Sequence, residues 1–274
     1  FMISFNKNIK IGKYIFLIII TIISLFPILL VLSSSFKNES EIFDFPFHLI
    51  PRQIIFSNFI RLSRNFPLYI WNSVKLTSII AVLQLFSAST GGYVFSKLKW
   101  KGRNFIFGLY LASMMIPLQA VTIPQFIIMR NLNLYDTHAA IILLSTFTAF
   151  GTFLIRQYFL SVPDTYLEAA RIDGAREWTI FFNIMLPMAK PVLVTQAVLS
   201  FRFFWNDFFT PLIYLTTPEL KTLPLGMTDF VREQYVYWGP QMAAALISII
   251  PVLIIFMFGQ RYFIEGVSSS GLKG

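Results

Sequence analysis

Residues 14–32 read YIFLIIITIISLFPILLVL, nineteen positions without a charged side chain. A helix rises about 1.5 Å per residue, so roughly 20 apolar residues cross the ~30 Å hydrocarbon core of a bilayer. The run is too long for the apolar centre of a secretory signal and has no small-residue cleavage site behind it, so it reads as a retained span. Five further runs of this kind follow, at about 74–96, 105–129, 137–155, 190–215 and 242–263. Trp71 precedes the second as an interfacial anchor. Pro117 and Pro124 lie inside the third, which is therefore expected to be kinked or broken. The fold class that follows is an all-α polytopic membrane protein with six transmembrane helices.

Composition agrees with that class. Hydrophobic residues make up 56% of the 274-residue chain and charged residues only 13%, about half the share of an ordinary soluble domain. Cysteine is absent, which excludes disulfides, iron–sulfur clusters and thiolate metal sites. His48 and His138 stand in separate segments without an acidic cluster, so no metal site is expected. The net charge of +9 would suit nucleic acid in a soluble protein. In a membrane chain, lysine and arginine report topology instead, and no nucleic-acid partner is expected.

Placing the amino terminus inside puts thirteen basic residues on the inner side, with the KLKWKGR turn at 97–103 the clearest marker. Seven fall outside, and Lys75 and Arg202 lie within spans. That asymmetry makes both termini cytoplasmic. The expected organisation is a cytoplasmic segment 1–13, one permeation domain over 14–264 with its long cytoplasmic loop at 156–189, and a cytoplasmic tail 265–274.

That loop is not linker-like. It contains EAARIDGAREW at 168–178, where Glu168, Arg171, Asp173, Arg176 and Glu177 supply five charges of both signs. Ser161-Val162-Pro163-Asp164 offers a helix start: a serine cap, a proline near the first turn and an acid at the positive helix end. YLEAARID continues as a helix until Gly174, a residue suited to the left-handed corner at helix ends. A second helix, about Arg176 to Leu186, carries Trp178, Phe181 and Met185 at helical spacing, and Pro187 is expected to stop it. Ala169 and Ala170 would leave one surface shallow enough for another backbone. Two short amphipathic helices at a glycine corner suit either docking into a partner's groove or lying on the headgroups.

The string EAARIDGAREWTIFFNIMLP resembles the EAA signature of permease subunits of binding-protein-dependent ABC importers. Gly174 follows the EAA by the signature spacing, and Ile184, Leu186 and Pro187 complete it. RQYFLSVPDTYLEAARIDGA, LPMAKPVL, FFWNDFFTPLIYL, ELKTLPLGM and FGQRYFIEGVSSSGLKG are similar to the MalG-type sugar permeases over about 150–274, with a looser likeness upstream in VFSKLKWKGR and IPQF. The resemblance implies uptake of a carbohydrate, an oligosaccharide, by alternating access in the bacterial plasma membrane. It implies four kinds of partner: a second, non-identical permease, two cytoplasmic ABC ATPase subunits, an extracytoplasmic solute-binding protein and the sugar itself. Glu168, Ala169, Ala170, Asp173, Gly174 and Trp178 would form the ATPase-coupling surface. No phosphate loop of the form G-x-x-x-x-G-K-[ST] occurs, since GGYVFSK lacks both the spacing and the hydroxyl. The chain is thus expected to be no enzyme, with ATP and Mg²⁺ bound by the partner ATPase and no catalytic residue or cofactor of its own.

Charges inside spans cost about 2.5–3.5 kcal/mol or more at the bilayer centre. Lys75, near a span end, can snorkel. Arg202 lies in LSFRFFWNDFF, where an apolar or small residue is expected from the resemblance, while Trp205, Asn206 and Asp207 match it. These four are the candidate substrate pathway, with Arg202 suited to an anionic sugar through a bidentate carboxylate contact. The alternative is an ion pair of Arg202 with Asp207 or with a partner subunit. A stand-alone secondary transporter or channel would use the same two residues as an ion relay. In the outer segment 215–241, Glu219, Asp229, Arg232 and Glu233 are candidate contacts for the binding protein or, alternatively, solvated loop charges.

Overall fold

The computed structural model describes residues 7–62, 65–232 and 235–270, without the side chains of residues 7–11, 232 and 261–270. The elements are nearly all helical. Among the described residues, four stretches are long and apolar enough to cross a bilayer: Gly12–Ser35, Phe66–Lys97, His138–Ser161 and Trp238–Gln260. Two bent pairs raise the number to six if each counts as one span.

In chain order, α1 covers Lys7–Ser35 and α2 Phe66–Lys97. Next come α3 (Arg103–Ala112) and α4 (Leu118–Asn131), bent by 99° across a tight turn over Ser113–Met115. Pro117 supplies the extended residue that starts α4, so it makes the break expected there. Pro124 is accommodated inside α4. α5 (His138–Ser145) and α6 (Ala149–Ser161) follow, interrupted at 146–148. α7 is Thr165–Ile172, α8 Glu177–Met188 and α9 Lys190–Trp205. α9 does not continue to 215 as expected: it ends at Trp205, and α10 resumes at Phe209–Tyr214. α11 is Trp238–Ser270. A short two-stranded ribbon, Val231–Arg232 against Tyr235–Val236, is the one non-helical pairing among the described residues of a mostly helical chain.

The chain divides into two compact units. In the unit of Phe1–Pro67 and Met227–Ile250, α1 ends where its carbonyls find side-chain donors. The Asn58 carboxamide donates to Ser35 O and Lys37 O at 3.0 and 2.9 Å. Lys37 is fully buried, with Nζ donating to His48 O and lying over the Phe47 ring at 4.4 Å. The Glu39 carboxylate accepts from Trp238 N and Gly239 N, capping α11 with an acid at its positive end.

The unit of Leu68–Gly226 and Pro251–Gly274 has two apolar clusters. One gathers Leu76, Ile80, Ala140, Ile141, Tyr214 and Leu225. The other joins Ala88 and Tyr93 of α2, Ile155 and Phe159 of α6, Leu167 and Ala170 of α7, and Ile180 and Met185 of α8. Gly92 lets α2 approach α6, because a Cβ there would lie 3.0 Å from Ile155 Cγ2 and 3.1 Å from the Arg156 backbone nitrogen. The break at 146–148 frees two carbonyls, and buried carbonyls need donors. Gln84 Nε2 donates to Ser145 O at 2.6 Å and Ser87 Oγ to Thr146 O at 2.7 Å. Ser200 Oγ then donates to Gln84 Oε1 at 2.8 Å and accepts from Gln196 Nε2 at 2.9 Å.

Candidate functional site

The 156–189 segment is a helical corner packed against three other helices. Ser161 does not cap it. It is the last residue of α6, and its hydroxyl donates back to Tyr158 O at 2.7 Å, a local bond that serines make readily. Asp164 takes the cap position of α7 but gives its carboxylate to Lys97 Nζ at 2.5 Å. That hydrogen bond holds the Asp164 carboxyl below its ordinary range.

α7 closes with the paired bonds of a Schellman end: Ala175 N donates to Ala170 O and Gly174 N to Arg171 O. Gly174 sits at φ +81° with open space where a Cβ would stand. Its requirement is therefore for backbone conformation, not for room. The corner is braced by Arg171 Nε donating to Glu177 Oε1 at 2.9 Å, and the Tyr93 hydroxyl donates to Glu177 Oε2 at 2.5 Å. First the Arg171 bond and then the Tyr93 bond lower the Glu177 carboxyl against the opposing effect of burial. Pro187 does not stop α8 at Leu186. A π-helical turn over Phe181–Met185 precedes it and shifts the carbonyls that the proline ring would strike. The helix reaches Met188 and bends by 78° at Ala189 into α9.

Leu167, Ala170, Ile180, Phe181 and Met185 face inward. Ala170 thus belongs to the core and not to the shallow outer surface expected of it. Glu168, Ala169, Asp173, Gly174 and Trp178 all lie on the exposed face, together with Tyr166, Ile172 and Phe182. Trp178 is 63% exposed and Ile172 86%, so the face carries large apolar side chains beside its acids.

A second feature is a cavity of about 410 Å³ where three helix breaks meet. Ser113 and Met114 come from the α3–α4 turn, Phe147 and Thr148 from the α5–α6 break, and Phe209 and Thr210 from the resumption of helix after α9. Gln84, Thr122, Gln125 and Ser145 add polar groups, and Phe150, Phe203, Phe204 and Tyr214 add rings. Among the described residues, the buried Tyr214 hydroxyl has no hydrogen-bond partner. Non-helical backbone at membrane depth is tolerated where it is buried in protein or lines a water-filled cavity, and polar edges with aromatic faces are the chemistry that holds a sugar ring.

None of the four residues expected in a substrate pathway lines this cavity. Arg202 is exposed in the last turn of α9, where its charge suits the negative helix end. Its backbone oxygen accepts from Asn206 Nδ2 at 2.8 Å. Trp205 is buried and stacked on Phe201 at 5.5 Å. Asp207 Oδ1 accepts from Thr210 N at 3.1 Å, restarting the helix. Among the described residues no ion pair joins Arg202 to Asp207, because the acid serves the backbone break between α9 and α10. The cavity residues were missed because Ser, Thr and Gln inside apolar runs read as ordinary helix content. Their coincidence with Pro117 and with the S-T-F-T string at 145–148 was the available signal.

On the segment after α10, Glu219 is exposed, and its backbone oxygen accepts from Asn72 Nδ2 at 2.7 Å. Asp229 is exposed in the other unit. The Arg232 side chain and Glu233 lie outside the described residues. Sequence reasoning did not single out Asp136. At positive φ, it accepts from Thr216 N, Thr217 N and the Thr217 hydroxyl at 2.8, 3.0 and 2.5 Å. These bonds, the Thr217 hydroxyl foremost, pull its carboxyl down to about 2.

Residues 85–269 match the model of a family described as "Binding-protein-dependent transport system inner membrane component". The arabinooligosaccharides transport system permease protein AraQ of Halalkalibacterium halodurans is 37% identical over 260 residues, covering 93% of each chain. The protein of the same name from Bacillus subtilis is 35% identical over 97% of this chain and 96% of its own. Among solved structures, a bacterial ABC transporter involved in the import of the acidic polysaccharide alginate matches with a TM-score of 0.84 at 28% identity. That match covers 96% of this chain and 99% of the other.

Proposed function

The chain belongs to the family of binding-protein-dependent transport system inner membrane components, and on that premise we propose that its cavity at the three helix breaks carries an oligosaccharide during import. The protein is a sugar permease of an ABC importer, a multi-pass subunit of the bacterial plasma membrane and not the subunit that performs chemistry. It works with a binding protein, as its family description states, and that protein would sit on the extracytoplasmic side. The reading extends to six spans with both termini in the cytoplasm, a second permease alongside and two ATPase subunits below that bind ATP and Mg²⁺. The 165–188 corner would dock on those ATPases through Glu168, Ala169, Asp173, Gly174 and Trp178. Ala170 would set the corner from behind. On the outer side, Glu219 and Asp229 are retained as contacts for the binding protein.

The observation that carries the substrate reading is the cavity lining, in which Gln84, Gln125 and Thr148 stand among Phe147, Phe150 and Phe203. Polar groups orient hydroxyls, and ring faces stack on the apolar faces of sugars. The test is uptake of labelled arabinotriose by cells carrying the complete transporter, compared with the same cells lacking this chain. Uptake that requires the chain and falls at least tenfold in Gln125→Leu with assembly intact is the expected outcome. Equal uptake with and without the chain, or full uptake by Gln125→Leu, would sink the assignment.

A further inference from the structure

Through its covalent joins, the corner formed by α7 and α8 reaches only α6 and α9, yet the structure ties it to α2 as well. At the end of α2, Lys97 is almost fully covered, with its side chain 4% exposed, and Nζ donates both to Asp164 Oδ1 at 2.5 Å and to Val162 O at 2.6 Å. One turn earlier, the Tyr93 hydroxyl donates to Glu177 Oε2 at 2.5 Å, and the other oxygen of that carboxylate takes Arg171 from across the corner. One carboxylate therefore holds α7, α8 and α2 together. Charge-assisted bonds of this length are the strong ones. The apolar contact beneath them is continuous, since Tyr93 packs on Phe181 with ring centroids 5.3 Å apart and on Phe159 at 6.3 Å.

We propose that Tyr93 and Lys97 are positioning residues that make α2 a third output of the coupling corner, moving with it as one body during the transport cycle. The physical reason is the number and kind of ties. A rigid-body displacement passes through packed elements with satisfied polar contacts and is lost where an element slides freely. Lys97 bridges a backbone carbonyl and a side chain of the 162–164 entry to α7, while Tyr93 reaches the first residue of α8. The two attachments lie on opposite sides of Gly174, so α2 follows the whole corner and not one arm of it. The proposal rests on the reading of the corner as the ATPase-docking element.

The chain contains no cysteine, so once any cysteines of the partner subunits are replaced, two introduced cysteines suffice for a distance measurement in the complete complex. Spin labels at Lys99→Cys, in the turn after α2, and Thr179→Cys, on α8, should give one distance distribution unchanged between the nucleotide-free and the ATP–vanadate-trapped complex. In the same labelled background, Tyr93→Phe with Lys97→Met should shift or broaden that distribution on trapping, and Lys97→Arg alone should keep it fixed. A distance that changes on trapping in the otherwise unsubstituted complex would overturn the proposal. So would a Tyr93→Phe/Lys97→Met distribution as fixed as the unsubstituted one, or loss of the ATPase subunits from that variant, since the residues would then serve assembly. Failure of ATPase subunits to co-purify even with the unsubstituted chain would overturn the docking reading itself, and this inference with it.

Discussion

Gly174 is held at φ +81° with open space where a Cβ would stand, so a side chain there would meet strain but no obstacle. Gly174→Ala should cost about 1 kcal/mol through the left-handed conformation alone. The bonds from residues 174 and 175 back to Arg171 and Ala170 should loosen. The expected result is weaker retention of the ATPase subunits on purification, with the permease still folded; unchanged retention would show that the corner tolerates other backbones. Asp136 is a different kind of single-residue device. Its folded carboxyl sits at about 2, below the ordinary value of about 3.9. A depressed carboxyl contributes stability that is fully present above about pH 4 and fades as the pH falls through about 2. The gap in melting temperature between the wild type and Asp136→Asn should therefore be level from pH 8 to pH 5 and narrow only in stronger acid. A gap that opens or closes around neutrality would contradict the assignment.

Among the elements, the broken helices are the informative ones. The α5–α6 interruption persists because Gln84 and Ser87 of α2 occupy the carbonyls it exposes. Replacing Gln84 by Leu leaves Ser145 O without that donor and the Ser200 hydroxyl without its acceptor. Unmet buried polar groups cost about 1–3 kcal/mol each. Gln84→Leu should accordingly lower the melting temperature in detergent more than Ser87→Ala does, and a smaller effect would place the support of the break elsewhere. The kink in the third apolar run was legible from Pro117, since proline after an extended residue ends a helix on steric grounds alone. The end of α9 at Trp205 was not legible. No proline or glycine lies in FRFFWNDFF, and Asp207 becomes a helix restart only because the backbone has already turned there.

For the molecule as a whole, the open chemical question is the charge of the cargo. Arg202 is exposed and free of an ion pair with Asp207. It stands one residue from Phe203, which lines the cavity. If the guanidinium attracts carboxylates, Arg202→Ala should reduce uptake of an anionic oligosaccharide such as an alginate trimer at least tenfold and spare a neutral one. Arg202→Lys should fall between, since a point charge replaces the bidentate fork. Equal loss of both substrates would mark Arg202 as structural, and loss of neither would remove it from the pathway.

The linear chain by itself determined the membrane class, the corner at Gly174 and the kink at Pro117. Each follows from local physics: uninterrupted apolar length, the left-handed freedom of glycine, and the ring of proline. The family likeness was also legible, because EAARIDGAREWTIFFNIMLP is a contiguous string. Only the tertiary structure decided that Ala170 turns inward, that Ser161 closes one helix without starting the next, and that Asp207 serves a backbone break without pairing with Arg202. It also brought Gln84, Thr148 and Tyr214, distant in sequence, around one cavity. Side-chain partnership depends on which helices lie side by side. That is set by packing across the bundle, which no local spacing along the chain encodes.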